Sequence, residues 1–352
     1  MVFELAASYI GAIVGAGFAS GREHVYFFFP VYLPFRRQLF EIGVKSLLTG
    51  FLFALFGAAL GVLAFKYQTS SSKDLLKRLV PRPLDSLCDW LMIFFIFGSL
   101  SIMLAGSGML FTRAVGIPKA IGIVITAIVT VLAAIPGTGG LLAINSFMSP
   151  FMIFMPIIVA ILSVYKGVIN SFFSISDFGF VNVSTSRLVY QMIPTLLYVS
   201  YNVILAFGVF ASLGKDIPDR GTALRGGILG GIGLLIFLIM IQSVLICYGG
   251  YIFSDELPML KAAFTHGLLV GRGYFIALWF AMITTSVCSV FAISQRFNRY
   301  FATQRIWLVF GITMVACFPA QFGFGNLIAA IYPIIGYIGL PVLFLVLFHF
   351  LK

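Results

Sequence analysis

Apolar runs about twenty residues long, with almost no charge inside them, constrain this chain more than any other feature. A helix needs roughly 20 apolar residues to cross the hydrocarbon of a bilayer. Ten stretches qualify, at about 3–29, 40–65, 87–112, 117–135, 140–165, 187–213, 224–252, 268–295, 304–323 and 325–350. Of the 352 residues, 61% are hydrophobic and only 9% charged, where soluble domains carry about 25%. A soluble fold has too little polar surface to cover so much apolar chain. The expectation is an all-α integral membrane protein of about ten transmembrane helices, one domain over 1–352. The longest polar stretch, 66–86, is a connection and not a domain.

The opening "MVFELAAS" has neither a basic n-region nor a small-residue cleavage site after it, so the first segment is expected to stay. Cys88, Cys247, Cys288 and Cys317 show no disulfide framework or metal spacing and read as small apolar packers. The net charge of +11 does not point to nucleic acid, because the cations sit between apolar spans, where they set orientation. With the N-terminus inside, inner connections hold twelve Lys and Arg, among them Lys66, Arg82, Arg220 and Arg299, and outer ones eight. That bias favours a cytoplasmic N-terminus in the cell membrane.

Ten spans divide into five and five, about 3–165 and 187–350. Two halves of odd span number enter the membrane from opposite sides, which makes related halves an inverted repeat. An echo supports the relation. When 5–20 is set on 197–212, Leu5, Ser8, Tyr9, Phe18, Ala19 and Ser20 match Leu197, Ser200, Tyr201, Phe210, Ala211 and Ser212. The echo pairs span 1 with span 6, and discontinuous helices are expected in both.

In span 1, "GAGFASGREH" (15–24) interrupts an apolar run with glycines and then charges. Glycine in a helix interior costs about 1 kcal/mol relative to alanine. Gly11, Gly15 and Ala19 at spacing four could pack two helices closely. The alternative is an unwound segment near Ala16–Ala19, whose freed amides and carbonyls become a binding site. Amides at Gly15, Ala16 and Gly17 would then meet an anionic group at the start of the second half-helix. Ser20 would cap that half, with Glu23 completing a capping box. Arg22 and Glu23 are candidates for gating or proton coupling, although Arg22 could simply snorkel.

Span 8 carries Thr284, Thr285, Ser286 and Ser289 near its middle. Such hydroxyls often back-bond to their own helix. Beside a broken first span, they also suit sodium, a hard cation that prefers oxygen.

These residues resemble a known group. "GAIVGAG" (11–17) is similar to the first-span motif of sodium-coupled amino-acid transporters with the leucine-transporter fold, and "FAMITTS" (280–286) to their eighth-span motif. The resemblance implies a sodium held by the carbonyls of Gly11, Val14 and Ala281 and the hydroxyls of Thr284 and Thr285. It also implies a substrate carboxylate at Ala16 and Gly17. Over the whole chain, "IGAIVGAGFASGRE", "LYVSYNVILAF" and "DELPML" resemble a bacterial family of amino-acid permeases in the amino acid–polyamine–organocation superfamily. Arg22 departs from that pattern, where glutamine is expected. Span 10 has no carboxylate to pair with an outer-gate arginine.

Tyr201 and Asn202 of span 6 and Ser107 of span 3 complete the candidate substrate site, because polar groups within spans are costly and often functional. The function expected is symport of a neutral amino acid by alternating access, with sodium as coupling ion and no other cofactor. A proton-coupled permease, or a sensor or channel on the same scaffold, stays open, as does the oligomeric state. An enzyme is not expected: His24, His266 and His349 lack H-E-x-x-H spacing, no Walker motif occurs, and no acidic pair lies deep within spans.

Overall fold

The computed structural model describes residues 1–29, 35–80, 84–136, 138–170, 185–297 and 305–352. Arg82, Arg299 and the start of the ninth predicted span at 304 lie outside the described residues. All regular structure among the described residues is helical. The helices are α1 (Val2–Ile13), α2 (Ala16–Ser20), α3 (Arg22–Phe28), α4 (Phe35–Tyr67), α5 (Ser72–Leu79), α6 (Leu84–Val115), α7 (Lys119–Ala134) and α8 (Thr138–Asn170). They continue with α9 (Thr185–Leu213), α10 (Arg220–Tyr248), α11 (Gly250–Phe253), α12 (Pro258–Thr265), α13 (Leu268–Phe297), α14 (Arg305–Ala320) and α15 (Phe324–Leu351).

Six helical stretches among the described residues are long and apolar enough to cross a membrane: Leu39–Tyr67, Trp90–Val115, Met192–Leu213, Arg220–Tyr248, Leu268–Gln295 and Phe324–Leu351. Shorter apolar helices, Val2–Ile13, Lys119–Ala134, Pro150–Lys166 and Ile306–Ala320, fall in the other predicted spans. Large apolar side chains such as Phe51, Leu132, Phe318 and Phe344 stand exposed on the outside of the bundle, as lipid solvent permits. In the polar connection, α5 buries Leu75, Leu76 and Leu79. The Ser71 hydroxyl caps α5 by accepting the Asp74 amide.

The frame around the first span rests on glycines in α10. Gly227 and Gly231 lie directly on the backbone of α4 at Gly57–Ala58 and Phe53–Ala54. One residue earlier in each case, Gly226 and Gly230 receive Leu5 and Tyr9 of α1, and Gly233 receives Ile10. Spacing four with no side chain lets two helices approach to backbone contact. That role was anticipated for Gly11 and Gly15; α10 is where it is used. Tyr9 is fully buried in this seam, and its hydroxyl donates to the Phe53 carbonyl at 2.9 Å.

Span 6 differs from expectation. Helix α9 runs unbroken through Ser200, Tyr201 and Asn202. The reason is local: no glycine precedes Gly208 in that run, and the Asn202 side-chain amide donates to the Tyr198 carbonyl at 2.9 Å. Of the six echo pairs, four are buried in both spans, Leu5, Tyr9, Phe18 and Ala19 with Leu197, Tyr201, Phe210 and Ala211, whereas buried Ser20 pairs with exposed Ser212 and half-buried Ser8 with buried Ser200.

A polar latch ties α12 to its neighbours. His266 Nε2 lies 2.8 Å from the Ser163 hydroxyl of α8 and 3.0 Å from the Tyr248 hydroxyl of α10. The Lys166 ammonium donates to the Thr265 carbonyl at 3.3 Å. Burial, and then the Lys166 charge, hold His266 below the usual histidine range. A depressed pKa in the folded state means that the unfolded chain binds the proton more readily, so this contribution is present above the unfolded pKa and is lost as pH falls. Melting temperature is expected to drop on acidification below about pH 6.5, and to drop less in His266→Gln. Parallel curves for the two proteins would count against the latch.

Candidate functional site

The first span breaks twice. At the end of α1 the Val14 amide donates to Ile10 at 2.8 Å, and the Gly15 amide turns back to the Ile13 carbonyl at 2.7 Å. With Val14 at φ −75° and ψ 73°, this is an inverse γ-turn. Gly15 then runs extended at φ −95° and ψ −172°. No backbone amide among the described residues reaches the carbonyls of Gly11, Ala12 or Val14. Ala16 and Gly17 begin α2, where amides lack intrahelical acceptors.

The second break is Gly21, left-handed at φ 78°. A Cβ there would lie 2.9 Å from the Met259 side chain, so both conformation and space require glycine. The break was expected at Ala16–Ala19; that stretch is instead a turn of helix held between the two interruptions. Ser20 ends this turn rather than opening the next half. Its hydroxyl donates to the Gly17 carbonyl at 2.8 Å and accepts the Arg22 amide at 3.2 Å.

Opposite the first break lies α13. The hydroxyls of Thr284 and Thr285 both donate to the Ala281 carbonyl, at 3.1 and 2.9 Å. They flank it on different sides. Thr285 Oγ1 is 3.6 Å from where a Gly15 Cβ would stand, whereas Thr284 Oγ1 faces the Met152 sulfur at 3.8 Å. Val14 and Ala281 line a void of about 10 Å³ with Ala19, Met152 and Tyr274, room for about one water-sized occupant. The Tyr274 hydroxyl donates to the Ala19 carbonyl at 2.6 Å and fixes α2 to α13. Gly11 stands apart on the exposed side of α1, with nothing within 4 Å of a Cβ position.

Around the second break, α3, α9 and α15 meet in an aromatic core. Tyr201 stacks on Tyr332 with centroids 4.5 Å apart, and Tyr198 meets Tyr201 edge-on at 5.5 Å. Buried Glu23 points into this core, where its carboxylate accepts a hydrogen bond from the Tyr201 hydroxyl. The Tyr332 hydroxyl stands close by, 3.2 Å from where a Gly17 Cβ would lie. Its other oxygen lies against Gly17, where any side chain would collide with it. The expected capping box is therefore replaced by a bond to α9. His24 is fully buried among Phe18, Phe28 and Tyr198, and neither ring nitrogen has a hydrogen-bond partner among the described residues.

Ser107 lies elsewhere. Its hydroxyl donates to Leu104 at 2.7 Å and faces Gly122 of α7 at 3.5 Å, within the close α6–α7 seam. Tyr198, Tyr274 and Tyr332 escaped the sequence reading because a tyrosine in an apolar run looks like any packing aromatic. "YVSY" at 198–201 carried the only visible signal.

One end of the bundle is strapped shut. The Arg22 guanidinium donates to the carbonyls of Phe253 and Asp255 at 3.0 and 3.3 Å and lies beside Gly325. Arg113 reaches the Asp255 carboxylate at 3.7 Å. Arg22 thus needs no span-10 carboxylate, because two loop carbonyls serve instead. Hydrogen bonds to a charged donor are worth roughly 1.5–3 kcal/mol each. With Ser20→Cys as reporter, adding Arg22→Ala is expected to speed its alkylation about tenfold or more, since 1.4 kcal/mol is tenfold. Equal rates would mean that the strap does not hold this end.

No family model matches the chain. It is 27% identical over 338 residues to the uncharacterized membrane protein YkvI of Bacillus subtilis (strain 168), covering 96% of this chain and 92% of the relative. It is 25% identical to the uncharacterized protein YyaD of the same strain, covering 97% and 94%. Among solved structures it resembles MhsT in complex with L-phenylalanine, with TM-score 0.64, 15% identity and coverage of 97% of this chain and 87% of that one. It also resembles the Eremococcus coleocola manganese transporter, at 0.64 and 13% with coverage of 98% and 78%. A further neighbour is Mhp1, a nucleobase-cation-symport-1 family transporter, at 0.55 and 14% with coverage of 94% and 74%. These neighbours are transporters, not enzymes, and the chain is a helical membrane protein with their leucine-transporter fold.

Proposed function

We propose that this chain is a secondary active transporter that moves a small solute by alternating access, with a neutral amino acid as substrate and sodium as coupling ion. The observation that carries this reading is the first break. It leaves the carbonyls of Gly11 and Val14 without backbone donors and sets Val14 and Gly15 against Ala281 and Thr285 of α13. In this reading the Val14 and Ala281 carbonyls hold the cation, and Thr284 and Thr285 turn their hydroxyls from the Ala281 carbonyl to join them. Gly11 supplies its carbonyl when α1 swings in. The solute carboxylate meets the amides of Gly15, Ala16 and Gly17, with Ser20, Tyr201, Asn202 and Ser107 as candidate surroundings. Bound cation stabilises one arrangement of the broken span and thereby raises solute affinity, which is thermodynamic linkage.

The fold alone does not choose a solute, because its solved examples include a complex with L-phenylalanine and a manganese transporter. An amino acid is favoured by the backbone groups exposed at the break. In addition, no group of three His, Cys, Asp or Glu side chains able to hold a metal ion occurs among the described residues. Ten spans in two inverted halves, a cytoplasmic N-terminus and the cell membrane complete the proposal. In that orientation the Arg22 strap closes the outer mouth, and exposed Gly11 faces the inner path.

The test is the melting temperature of purified protein against a panel of L-amino acids in sodium and in choline buffer. A ligand that binds only the folded state at 100 times its Kd adds about 2.7 kcal/mol by mass action. One amino acid is expected to raise the melting temperature, more in sodium, with the sodium increment gone in Thr285→Ala. No shift from any amino acid in either buffer would reject the substrate class. Retained binding without uptake into proteoliposomes would identify a sensor, and conduction without gradient coupling a channel.

A further inference from the structure

We infer that Glu23 is a proton-binding site, and that its proton is exchanged as the first span opens and closes. This goes beyond the sodium reading and uses none of the proposed sodium ligands, although Gly17 and Tyr201 also belong to the proposed solute site. The carboxylate is buried at the meeting of α3, α9 and α15. Tyr201 donates to it from α9, the Tyr332 hydroxyl of α15 stands beside Gly17 with its other oxygen, and Tyr198 lies next to them. On its own helix, Arg22 turns away to the carbonyls of Phe253 and Asp255. His24 packs among aromatic rings with no hydrogen-bond partner at either nitrogen among the described residues. No cation from α2, α4 or α10 is paired with the carboxylate among the described residues.

A buried carboxylate needs a positive partner or a proton. Space decides between them. Gly17 closes on one oxygen so tightly that even a methyl group would collide, and the tyrosine hydroxyls close on the carboxylate from α9 and α15. A metal ion or a substrate ammonium would need room among these groups, whereas a proton needs none. The cage is made from separate elements, so it can come apart. When α3 and α9 part, water reaches the carboxyl and the proton leaves as hydronium. When they close, a proton from water returns to the oxygen. The step is a simple acid–base exchange with no other reactant.

The first measurement is infrared difference spectroscopy of the full-length protein in lipid nanodiscs, following the protonated-carboxyl C=O stretch as pH is raised. A band that titrates away in the wild type and is missing in Glu23→Gln is the expected result. Identical spectra for the two proteins would overturn the inference. If Glu23→Gln fails to fold, Tyr201→Phe reads the same carboxyl, since losing a donor shifts the band frequency; an unshifted band is again fatal. The second arm is uptake of the amino-acid panel into proteoliposomes under an imposed pH gradient without a sodium gradient. Accumulation that responds to the gradient is expected. Uptake that ignores it would overturn proton exchange during transport even if the band is present. Absence of all amino-acid uptake would count against the proposed substrate, while the infrared arm would still decide the proton site.

Discussion

Gly231→Val is expected to prevent assembly of the bundle. The new side chain would enter the backbone of α4 at Phe53–Ala54, and backbone, unlike a side chain, has no rotamer to escape into. The two helices would have to separate and take Tyr9 and α1 with them. Overpacking typically costs about 1–3 kcal/mol when side chains can adjust, and this site offers no such adjustment. A loss of roughly 3 kcal/mol lowers melting by about 4 °C in a chain of this length. Size-exclusion profiles and melting curves in mild detergent check this. Gly43→Val is the control, since Gly43 is exposed with nothing within 4 Å of a Cβ position, and it should elute and melt like wild type. Equal behaviour of the two variants would mean that α4 and α10 do not meet backbone to backbone.

Gly17→Ala is expected to have the next largest effect, on the site rather than the frame. Its methyl group would displace the Glu23 carboxylate from the Tyr201 hydroxyl and crowd the Tyr332 hydroxyl. Losing a buried hydrogen bond to a charged or strongly polar group costs about 1.5–3 kcal/mol. The prediction is a lower melting temperature together with loss of any amino-acid-induced shift. Glu23→Ala removes the colliding group, so the double variant should recover much of the melting temperature that Gly17→Ala loses. That non-additivity is the signature of direct contact. Additive losses would place the two residues in independent environments.

Much of the frame was legible in the residues. Long apolar runs with few charges inside them leave few architectures, and the helices fall where those runs lie. The first-span break was legible because glycines cluster there against a steep propensity cost. Its form was not. Whether Gly15 or Gly21 carries an interruption depends on φ, and on what Met259, 238 residues away, leaves room for. The unbroken sixth span shows the limit of repeat reasoning: the echo sets the first-span motif 11–17 on 203–209, which holds Gly208 in place of three glycines, and Asn202 spends its amide on the helix. Glu23 was visible as an oddity, yet its tyrosine neighbours come from α9 and α15, and no local pattern pairs positions 178 residues apart.

Two breaks in one span also change how force can pass along it. The turn between Gly15 and Gly21 is a short link with a joint at each end, pinned to α13 by Tyr274. With a joint on both sides, α1 can swing on the smooth face of α10 without levering α3, and α3 can tilt without dragging α1. In the proposed transport cycle, gates that must never open together cannot then rely on the span itself as a rigid rod. The message has to cross through what grips the link, namely Thr285 and Tyr274 on one flank and Glu23 on the other. Ion occupancy, rather than helix stiffness, would set the order in which the two ends move.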